Sequence, residues 1–326
     1  MTGEDGKFRI AAAQAAPVFL DGPATIDKAC DLIAAAAAQG ARLVVFPEAF
    51  VPGYPDWVWS VPAREKALLN ELYGALVAGA VTVPGPAIDK IAAAARKGGI
   101  HVVLGVSERN VEASGSSLYN TLVYVDAEGR VIGRHRKLVP TGGERLVWAP
   151  GDGSTLGVHD TALGRLGGLI CWENYMPLAR YALYAWGVQI YAAATWDCGE
   201  PWLSTLRHIA KEGRVFVVGC GMALRKDQIP DRYAFKRLYA ADKEWVNVGD
   251  SAIVDPDGRF LAGPSRMKEE ILCAEVDLGQ TRGPRWILDV AGHYARPDVF
   301  QLSVQRAPRP FLRVLDEDPP EDEEKS

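Results

Sequence analysis

The sequence contains no apolar run of about 18 residues or more, the length that a membrane-spanning helix requires. Residues 1–7 lack the basic and apolar regions of a signal peptide, so we expect a cytoplasmic protein. The net charge of −5 comes without a dense basic cluster, which argues against binding to nucleic acid or to a membrane surface.

Cysteine is also scarce, since the chain has five, widely scattered and without a C-x-x-C pair. This pattern argues against a disulfide framework and against a zinc knuckle. No set of His, Cys and carboxylate residues has the spacing of metal ligands, so we expect neither a metal nor another cofactor.

Apolar residues make up 48% of the 326 residues, which is enough for a sizeable core. Short apolar, β-branched runs alternate with helix-like segments, and turn sequences at residues 127–130 and 255–258 predict two hairpins. The alternation predicts an α/β protein in which mixed sheets are covered by helices on their outer faces.

No linker-like stretch divides residues 1–282, which we predict to form one domain. Residues 283–313 are rich in proline and arginine with scattered aromatics, and this composition predicts an extended arm. Residues 314–326 are acidic and contain proline, so we expect a disordered tail.

Cys171 stands at an abrupt change in the sequence. A Gly-rich apolar run from Arg165 to Ile170 ends at this thiol, and polar and aromatic residues followed by Pro177 come next. The pattern predicts a buried strand that delivers the cysteine to a strand-to-helix turn, where a nucleophile can be exposed. A lone cysteine after apolar residues is more often a small core residue, so further evidence is needed.

Two other apolar strands end in an ionisable residue. Leu43-Val-Val-Phe-Pro-Glu48 ends in a carboxylate, and Val131-Ile-Gly-Arg-His-Arg-Lys137 ends in a cation. A carboxylate, an ammonium and a thiol at neighbouring strand ends could act as base, anion stabiliser and nucleophile, with a backbone N–H just after Cys171 as oxyanion donor. Taken separately, Glu48 and Lys137 would be ordinary surface charges.

The blocks Phe46-Pro-Glu48, His135-Arg-Lys137 and Ile170-Cys-Trp-Glu173 occur in this order, and the chain thereby resembles the nitrilase superfamily of carbon–nitrogen hydrolases from about residue 8 to 300. The resemblance implies a four-layer α-β-β-α sandwich and a Glu48–Lys137–Cys171 triad. It also implies a second active-site carboxylate, matched by Glu144, that positions the lysine and the substrate.

The segment Cys171-Trp-Glu-Asn-Tyr-Met-Pro-Leu178 resembles the true nitrilase branch, which implies hydrolysis of an organic nitrile to a carboxylic acid and ammonia. Residues 50–55, 195–197 and 292–299 favour the same branch, whereas Cys198 stands where related enzymes tend to have serine. Three aromatic residues flank the catalytic blocks and are candidate walls of the substrate pocket, although core packing is an equal alternative: Tyr54, Trp172 and Trp196.

Two alternatives stay open at this stage. One is an amidase or carbamoyl hydrolase with the same triad, and the other is a catalytically silent scaffold of the same fold. Family members form dimers and often larger spirals through a C-terminal arm, so the resemblance implies a homodimer that assembles further through residues 283–313. The sequence does not distinguish among aliphatic, aryl and arylacetonitrile substrates.

Overall fold

The computed structural model describes residues 6–310 and 312. Within these residues the chain forms thirteen strands: β1 (Lys7–Gln14), β2 (Ala41–Val45), β3 (His101–Arg109), β4 (Leu118–Val125), β5 (Val131–Arg136), β6 (Val158–Thr161), β7 (Gly164–Ile170), β8 (Ile190–Thr195), β9 (Phe216–Gly221), β10 (Ala223–Arg225), β11 (Trp245–Val254), β12 (Phe260–Arg266) and β13 (Glu270–Asp277). Five α-helices lie between them: α1 (Gly22–Ala38), α2 (Lys66–Gly79), α3 (Pro86–Gly98), α4 (Pro177–Ala185) and α5 (Glu200–Gly213).

Local signals set the helix ends. The Asp21 side chain caps α1 by accepting a hydrogen bond of 3.0 Å from the Ala24 backbone N–H. Helix α3 begins at Pro86 and is capped at its C-terminal end by Gly99, whose φ of 59° is left-handed and favours glycine. The start of α1 and both ends of α3 therefore lie where capping chemistry predicts them.

The strands form two sheets. The first has the order β13-β1-β2-β3-β4-β5, and the second has the order β10-β11-β9-β8-β7-β6, with β12 paired to β11. Strands β1, β2 and β3 run parallel in the first sheet, as do β7, β8 and β9 in the second. Because the carboxyl ends of parallel strands gather at one edge, each sheet can present several strand-end side chains together.

The two sheets pack face to face and helices cover both outer faces. Ile10 and Leu43 of the first sheet share one buried cluster with Ile190 and Phe216 of the second. A second cluster joins α1, α2 and α3 to the other face of the first sheet, and a third joins α4 and α5 to the second sheet. The predicted four-layer α-β-β-α sandwich is therefore confirmed.

Strand β8 illustrates why the central strands of the sheets have unbroken apolar sequences. Ile190 and Ala192 face the other sheet, whereas Tyr191 and Ala193 face α4 and α5, and all four are buried. Alternate side chains point to opposite faces, and here both faces are covered.

His159 lies on the short edge strand β6, where its ring packs against Tyr124 at a centroid distance of 4.7 Å. Pairing with β7, rather than local composition, places this segment in the second sheet.

Beyond the short 3-10 helix Gly283–Trp286, the described part of the arm contains no α-helix or strand. The arm contacts the rest of its own chain, because the Arg309 backbone N–H donates to Asp152 Oδ2 at 2.8 Å and the Arg306 guanidinium lies over the Trp186 ring. The division at residue 282 stays a prediction, and the acidic tail predicted at 314–326 lies outside the described residues.

Candidate active site

Cys171 follows the last residue of β7 and opens a 3-10 turn, Cys171–Tyr175, that leads into α4. Its φ of 51° is in the left-handed region, which a non-glycine residue adopts only when the surroundings impose it. The buried Asn174 amide holds the turn by donating to the Cys171 carbonyl at 2.8 Å and to the Leu169 carbonyl at 3.3 Å. This is the sharp strand-to-helix turn that the sequence predicts.

Glu48 and Lys137 lie in direct contact beneath the surface. The Lys137 ammonium donates to Glu48 Oε1 at 2.7 Å and to Glu144 Oε2 at 2.7 Å. All three side chains are buried. The structure thus brings together three of the four residues that the sequence assigns to catalysis, and one cation bridges two carboxylates.

Glu48 has two further partners that the sequence analysis missed. Asn120, near the start of β4, donates to Glu48 Oε1 at 2.7 Å, and the Trp196 backbone N–H donates to Glu48 Oε2 at 2.8 Å. The signal for Asn120 was an amide within the apolar strand Leu118–Val125, since a polar side chain in a fully buried strand needs a partner. These donors fix the orientation of the carboxylate.

The charges of Glu48, Lys137 and Glu144 all act on the buried Cys171 thiol. Burial raises the pKa of the Cys171 thiol above its ordinary value and Glu48 raises it further, whereas Lys137 and a hydrogen bond with Thr195 oppose the rise. The resting thiol is therefore protonated at neutral pH. Nucleophilic attack then requires a base that accepts the proton.

The carboxylate and the ammonium have shifted pKa values too. Burial raises the pKa of Glu48, and the opposing attraction of Lys137 does not cancel this effect. Burial alone would lower the pKa of Lys137, but the negative charges of Glu48 and Glu144 raise it above the ordinary value. Lys137 therefore stays cationic, while Glu48 has a greater proton affinity than an exposed glutamate.

Glu144 is held from three sides. Besides Lys137, it accepts a hydrogen bond of 2.7 Å from the Tyr54 hydroxyl and one of 2.7 Å from the Thr141 backbone N–H. The Tyr54 ring stacks on the Trp196 ring with centroids 4.3 Å apart and planes only 6° from parallel. Two of the three predicted aromatic wall residues therefore lie beside the cluster.

Trp172 lies elsewhere. Its side chain is 53% exposed, and its ring N–H donates to Asp197 Oδ2 at 3.0 Å. The Tyr175 hydroxyl donates to the same carboxylate oxygen at 3.1 Å. The structure does not bring Trp172 into the buried cluster, and its contact with substrate stays a prediction.

In the part of the chain that the structure describes, no group of three or more His, Cys, Asp or Glu side chains is arranged to hold a metal ion. Among the same residues, no helix combines the length and the apolar character needed to cross a bilayer.

The sequence profile of the carbon–nitrogen hydrolase family matches residues 9–285. The chain belongs to this family, and the resemblance inferred from the three sequence blocks is confirmed. The profile spans both sheets and every residue of the buried cluster.

Curated relatives carry more specific names. The chain is 44% identical over 306 residues to the aliphatic nitrilase of Sinorhizobium fredii, covering 93% of this chain and 97% of that protein. It is 43% identical over 310 residues to Nitrilase 2 of Arabidopsis thaliana, with coverage of 92% and 89%. It is also 43% identical over 302 residues to the bifunctional nitrilase/nitrile hydratase NIT4B of Nicotiana tabacum, with coverage of 91% and 86%.

Solved structures share the fold. Nit3 of Saccharomyces cerevisiae, a nitrilase superfamily member, has a TM-score of 0.68 at 21% identity, covering 89% of this chain and 97% of that chain. A carbon–nitrogen hydrolase from Helicobacter pylori has a TM-score of 0.65 at 22% identity, with coverage of 87% and 93%. At these identities the likeness concerns the fold alone.

Proposed function

We propose that this protein is a nitrilase, which converts an organic nitrile and two water molecules to a carboxylic acid and ammonia. The choice of nitriles rests on one observation, the 44% identity with an aliphatic nitrilase along nearly the whole length of both chains. The arrangement of Glu48, Lys137, Glu144 and Cys171 supports the chemistry.

Cys171 is the nucleophile in this mechanism and Glu48 is the general base. The thiol is protonated at rest because burial raises its pKa, so its proton passes to Glu48 as the sulfur attacks the nitrile carbon. The raised pKa of Glu48 suits this role, since a base with a higher proton affinity takes the proton more readily. Glu48 passes this proton on to the nitrile nitrogen, which gives a covalent thioimidate and returns Glu48 to its ionised form.

Glu48 then activates a water molecule that attacks the thioimidate carbon. The resulting tetrahedral species either expels ammonia to leave a thioester or expels the thiol to release an amide. Lys137 places a positive charge beside this species and favours the loss of ammonia. A second water molecule hydrolyses the thioester, releases the acid and regenerates the Cys171 thiol.

Glu144 positions the Lys137 ammonium through their hydrogen bond of 2.7 Å and leaves the role of base to Glu48. Tyr54 and Trp196 form part of the pocket wall through their stacked rings, and Trp172, the neighbour of Cys171 in the chain, is the third aromatic residue assigned to substrate binding. No metal or other cofactor takes part in this mechanism.

An amidase or carbamoyl hydrolase with the same triad is the competing function. A nitrile and its matching amide, assayed side by side for ammonia, distinguish the two. We expect ammonia and acid from the nitrile, and release from the amide alone would refute the nitrilase proposal. A panel of aliphatic, aryl and arylacetonitriles then identifies the substrate class.

We also propose that residues 283–313 form subunit contacts and that the protein is a homodimer able to assemble further. Several apolar side chains on and near the arm are more than half exposed in the single chain, as an interface requires: Leu178, Tyr294, Val299 and Phe300. Size-exclusion chromatography of a chain truncated after residue 282 should show a smaller assembly than the full chain. The same number of subunits per assembly in the truncated and the full chain would contradict the assignment.

A cytoplasmic location agrees with the cysteines, all five of which are free thiols. The substrate is a small molecule, and we expect no role for nucleic acid or membrane. Fractionation of the source cells should recover the protein with the cytoplasmic enzymes, whereas recovery outside the cell would contradict this location.

A further inference from the structure

Two buried ionisable residues close to the candidate active site have no role in the mechanism above. Glu173 comes two residues after Cys171, and His135 comes two residues before Lys137. Their side chains are almost completely inaccessible to solvent and form a pair. A buried carboxylate is costly to desolvate, so the presence of Glu173 beside the site calls for an explanation.

The Glu173 carboxylate joins the backbones on which the nucleophile and the ammonium stand. Its Oε1 accepts a hydrogen bond of 2.6 Å from the backbone N–H of Leu138, and its Oε2 accepts one of 2.8 Å from the backbone N–H of Ile170. Leu138 directly follows Lys137, and Ile170 directly precedes Cys171. One side chain therefore connects the two strand ends through one oxygen each.

These strand ends belong to different sheets. Strand β5, which leads to Lys137, is an edge strand of the first sheet, and β7, which leads to Cys171, lies in the second. Backbone pairing within a sheet cannot set the spacing between sheets. The Glu173 carboxylate connects the two sheets directly by hydrogen bonds, next to Lys137 and Cys171.

His135 completes the connection. Its Nε2 lies 3.0 Å from Glu173 Oε2 and 3.2 Å from Oε1. An ionised carboxylate can only accept hydrogen bonds, so Nε2 must carry the hydrogen and donate it. Burial alone would raise the pKa of Glu173, but His135 and the backbone N–H groups of Leu138 and Ile170 hold that pKa below its ordinary value. Glu173 is therefore ionised at neutral pH and keeps both oxygens as acceptors.

We propose that Glu173, supported by His135, is a positioning residue that sets the placement of the Lys137 ammonium relative to the Cys171 sulfur. The proposal rests on the roles given above to Lys137 and Cys171. It also explains how Cys171 keeps a left-handed φ of 51°, because the bond from Ile170 to Glu173 closes the turn in which the thiol stands.

The expected consequence lies in the chemical step. A misplacement of about 1 Å can lower a rate by roughly 10²-fold. If Lys137 moves away from the tetrahedral species, its charge favours ammonia loss less, and more of the intermediate releases amide. The Cys171 thiol also loses part of the attraction that opposes its raised pKa, so it reacts more slowly with alkylating agents.

Glu173→Gln is the first test, because the side chain keeps its size but turns one acceptor oxygen into a donor that cannot pair with a backbone N–H. We expect kcat on the best nitrile of the panel to fall by about 10²-fold with KM nearly unchanged, and the fraction of amide to rise. Glu173→Asp keeps the charge but is too short to connect both strands, so it should show the same defect. Wild-type kcat and product ratio in both variants would overturn the proposal.

Asp126→Asn is the matched control. The buried Asp126 carboxylate also accepts two backbone N–H bonds, from Glu128 at 3.0 Å and Arg130 at 2.8 Å, and pairs with the Arg130 guanidinium. It lies in the β4–β5 turn, at the end of these strands opposite to Asn120 and Lys137. This variant should lose stability yet keep the product ratio and kcat. An equal rise of amide in Asp126→Asn would show a general effect of destabilisation and overturn the proposal.

His135 variants decide the matter if Glu173→Gln does not fold. His135→Leu removes the donor and leaves the carboxylate less compensated, whereas His135→Gln restores an N–H donor. We expect His135→Leu to lower kcat and raise the amide fraction, and His135→Gln to recover part of both. Equal, wild-type behaviour of the two variants would overturn the proposal.

Alkylation of Cys171 by iodoacetamide separates this proposal from the nitrilase assignment, since it needs no substrate. If the wild-type protein hydrolyses none of the nitriles, the proposed function fails. The positioning role still requires slower labelling of Cys171 in Glu173→Gln than in the wild type or Asp126→Asn. Equal labelling rates would overturn it independently of the reaction.

Discussion

Asn120 Nδ2 donates a hydrogen bond of 2.7 Å to Glu48 Oε1, the same oxygen that accepts the Lys137 ammonium. The amide stabilises the ionised form of Glu48 and so opposes the rise in pKa that burial causes. Asn120 is itself fully buried, which means that its contribution is not screened by water. The proton affinity of the proposed base is therefore adjusted by a residue on a strand that carries no catalytic group.

Asn120→Leu should shift the acid limb of the kcat/KM profile to higher pH. Removing the donor destabilises the ionised carboxylate, so the pKa of Glu48, already raised, rises further. Glu48 can accept the thiol proton only above this pKa, and activity at mildly acidic pH falls most. Asn110→Leu, at another buried asparagine, is the control and should leave the limb in place. An unmoved limb in Asn120→Leu would argue against Glu48 as the base.

Lys137→Met should be among the most destabilising single changes in the cluster. It leaves Glu48 and Glu144 buried without their shared cation, and breaking a buried pair in this way costs about 3–5 kcal/mol. The loss should grow as the pH rises from acidic to neutral, because a carboxyl whose folded-state pKa lies above its unfolded value stabilises the fold only while protonated. Urea unfolding at two pH values measures this.

The double variant Lys137→Met with Glu144→Gln removes one of the two uncompensated charges and should recover part of the stability. Lys268→Met, at an exposed lysine paired with Glu270, is the control and should change little. A pH-independent loss in Lys137→Met would contradict the view that the ammonium stabilises the ionised form of Glu48.

Tyr54→Phe tests the hydroxyl and the ring of this residue separately. The variant loses the hydrogen bond to Glu144, which to a charged group is worth about 1.5–3 kcal/mol, but keeps the ring that stacks on Trp196. We therefore expect a lower kcat, because Glu144 and Lys137 lose a support, and a smaller change in KM. Steady-state kinetics on the best nitrile measures the two constants.

Tyr124→Phe is the matched control for this change. The Tyr124 hydroxyl is buried and has no hydrogen-bond partner among the residues that the structure describes. Its removal should be neutral or slightly stabilising and should leave both kinetic constants alone. A larger effect on KM than on kcat in Tyr54→Phe would instead assign the hydroxyl to substrate binding.

The catalytic residues that follow strand ends were predictable from the sequence. The residues on neighbouring strands that contact them were not. Glu48, Lys137 and Cys171 each follow an apolar run, so local pattern locates them. Asn120 and Thr195 contact the cluster only because strands β4 and β8 have a particular register in their sheets, and register depends on distant partners. The Trp196 donor is a backbone N–H, and because almost every residue carries one, its contact with Glu48 cannot be predicted from residue type.

Cys171 and Cys220 provide the last test, because both thiols are buried and burial raises the pKa of both. Lys137 opposes the rise only at Cys171, whereas Cys220 interacts with Ser251 and the Ala13 backbone. A buried thiol without a neighbouring cation or base is inert. Mass spectrometry of enzyme quenched during turnover of a nitrile should therefore locate a substrate-derived adduct on Cys171 alone.

Cys171→Ala should abolish both the adduct and the release of ammonia, and Cys220→Ala should retain both while losing some stability from the cavity it creates. Cys171→Ser separates nucleophilicity from structure, since it keeps the size of the side chain and the turn but offers a weaker nucleophile. It should fold like the wild type and turn over far more slowly. An adduct on any other residue, or full activity in Cys171→Ala, would refute the assignment of Cys171 as nucleophile.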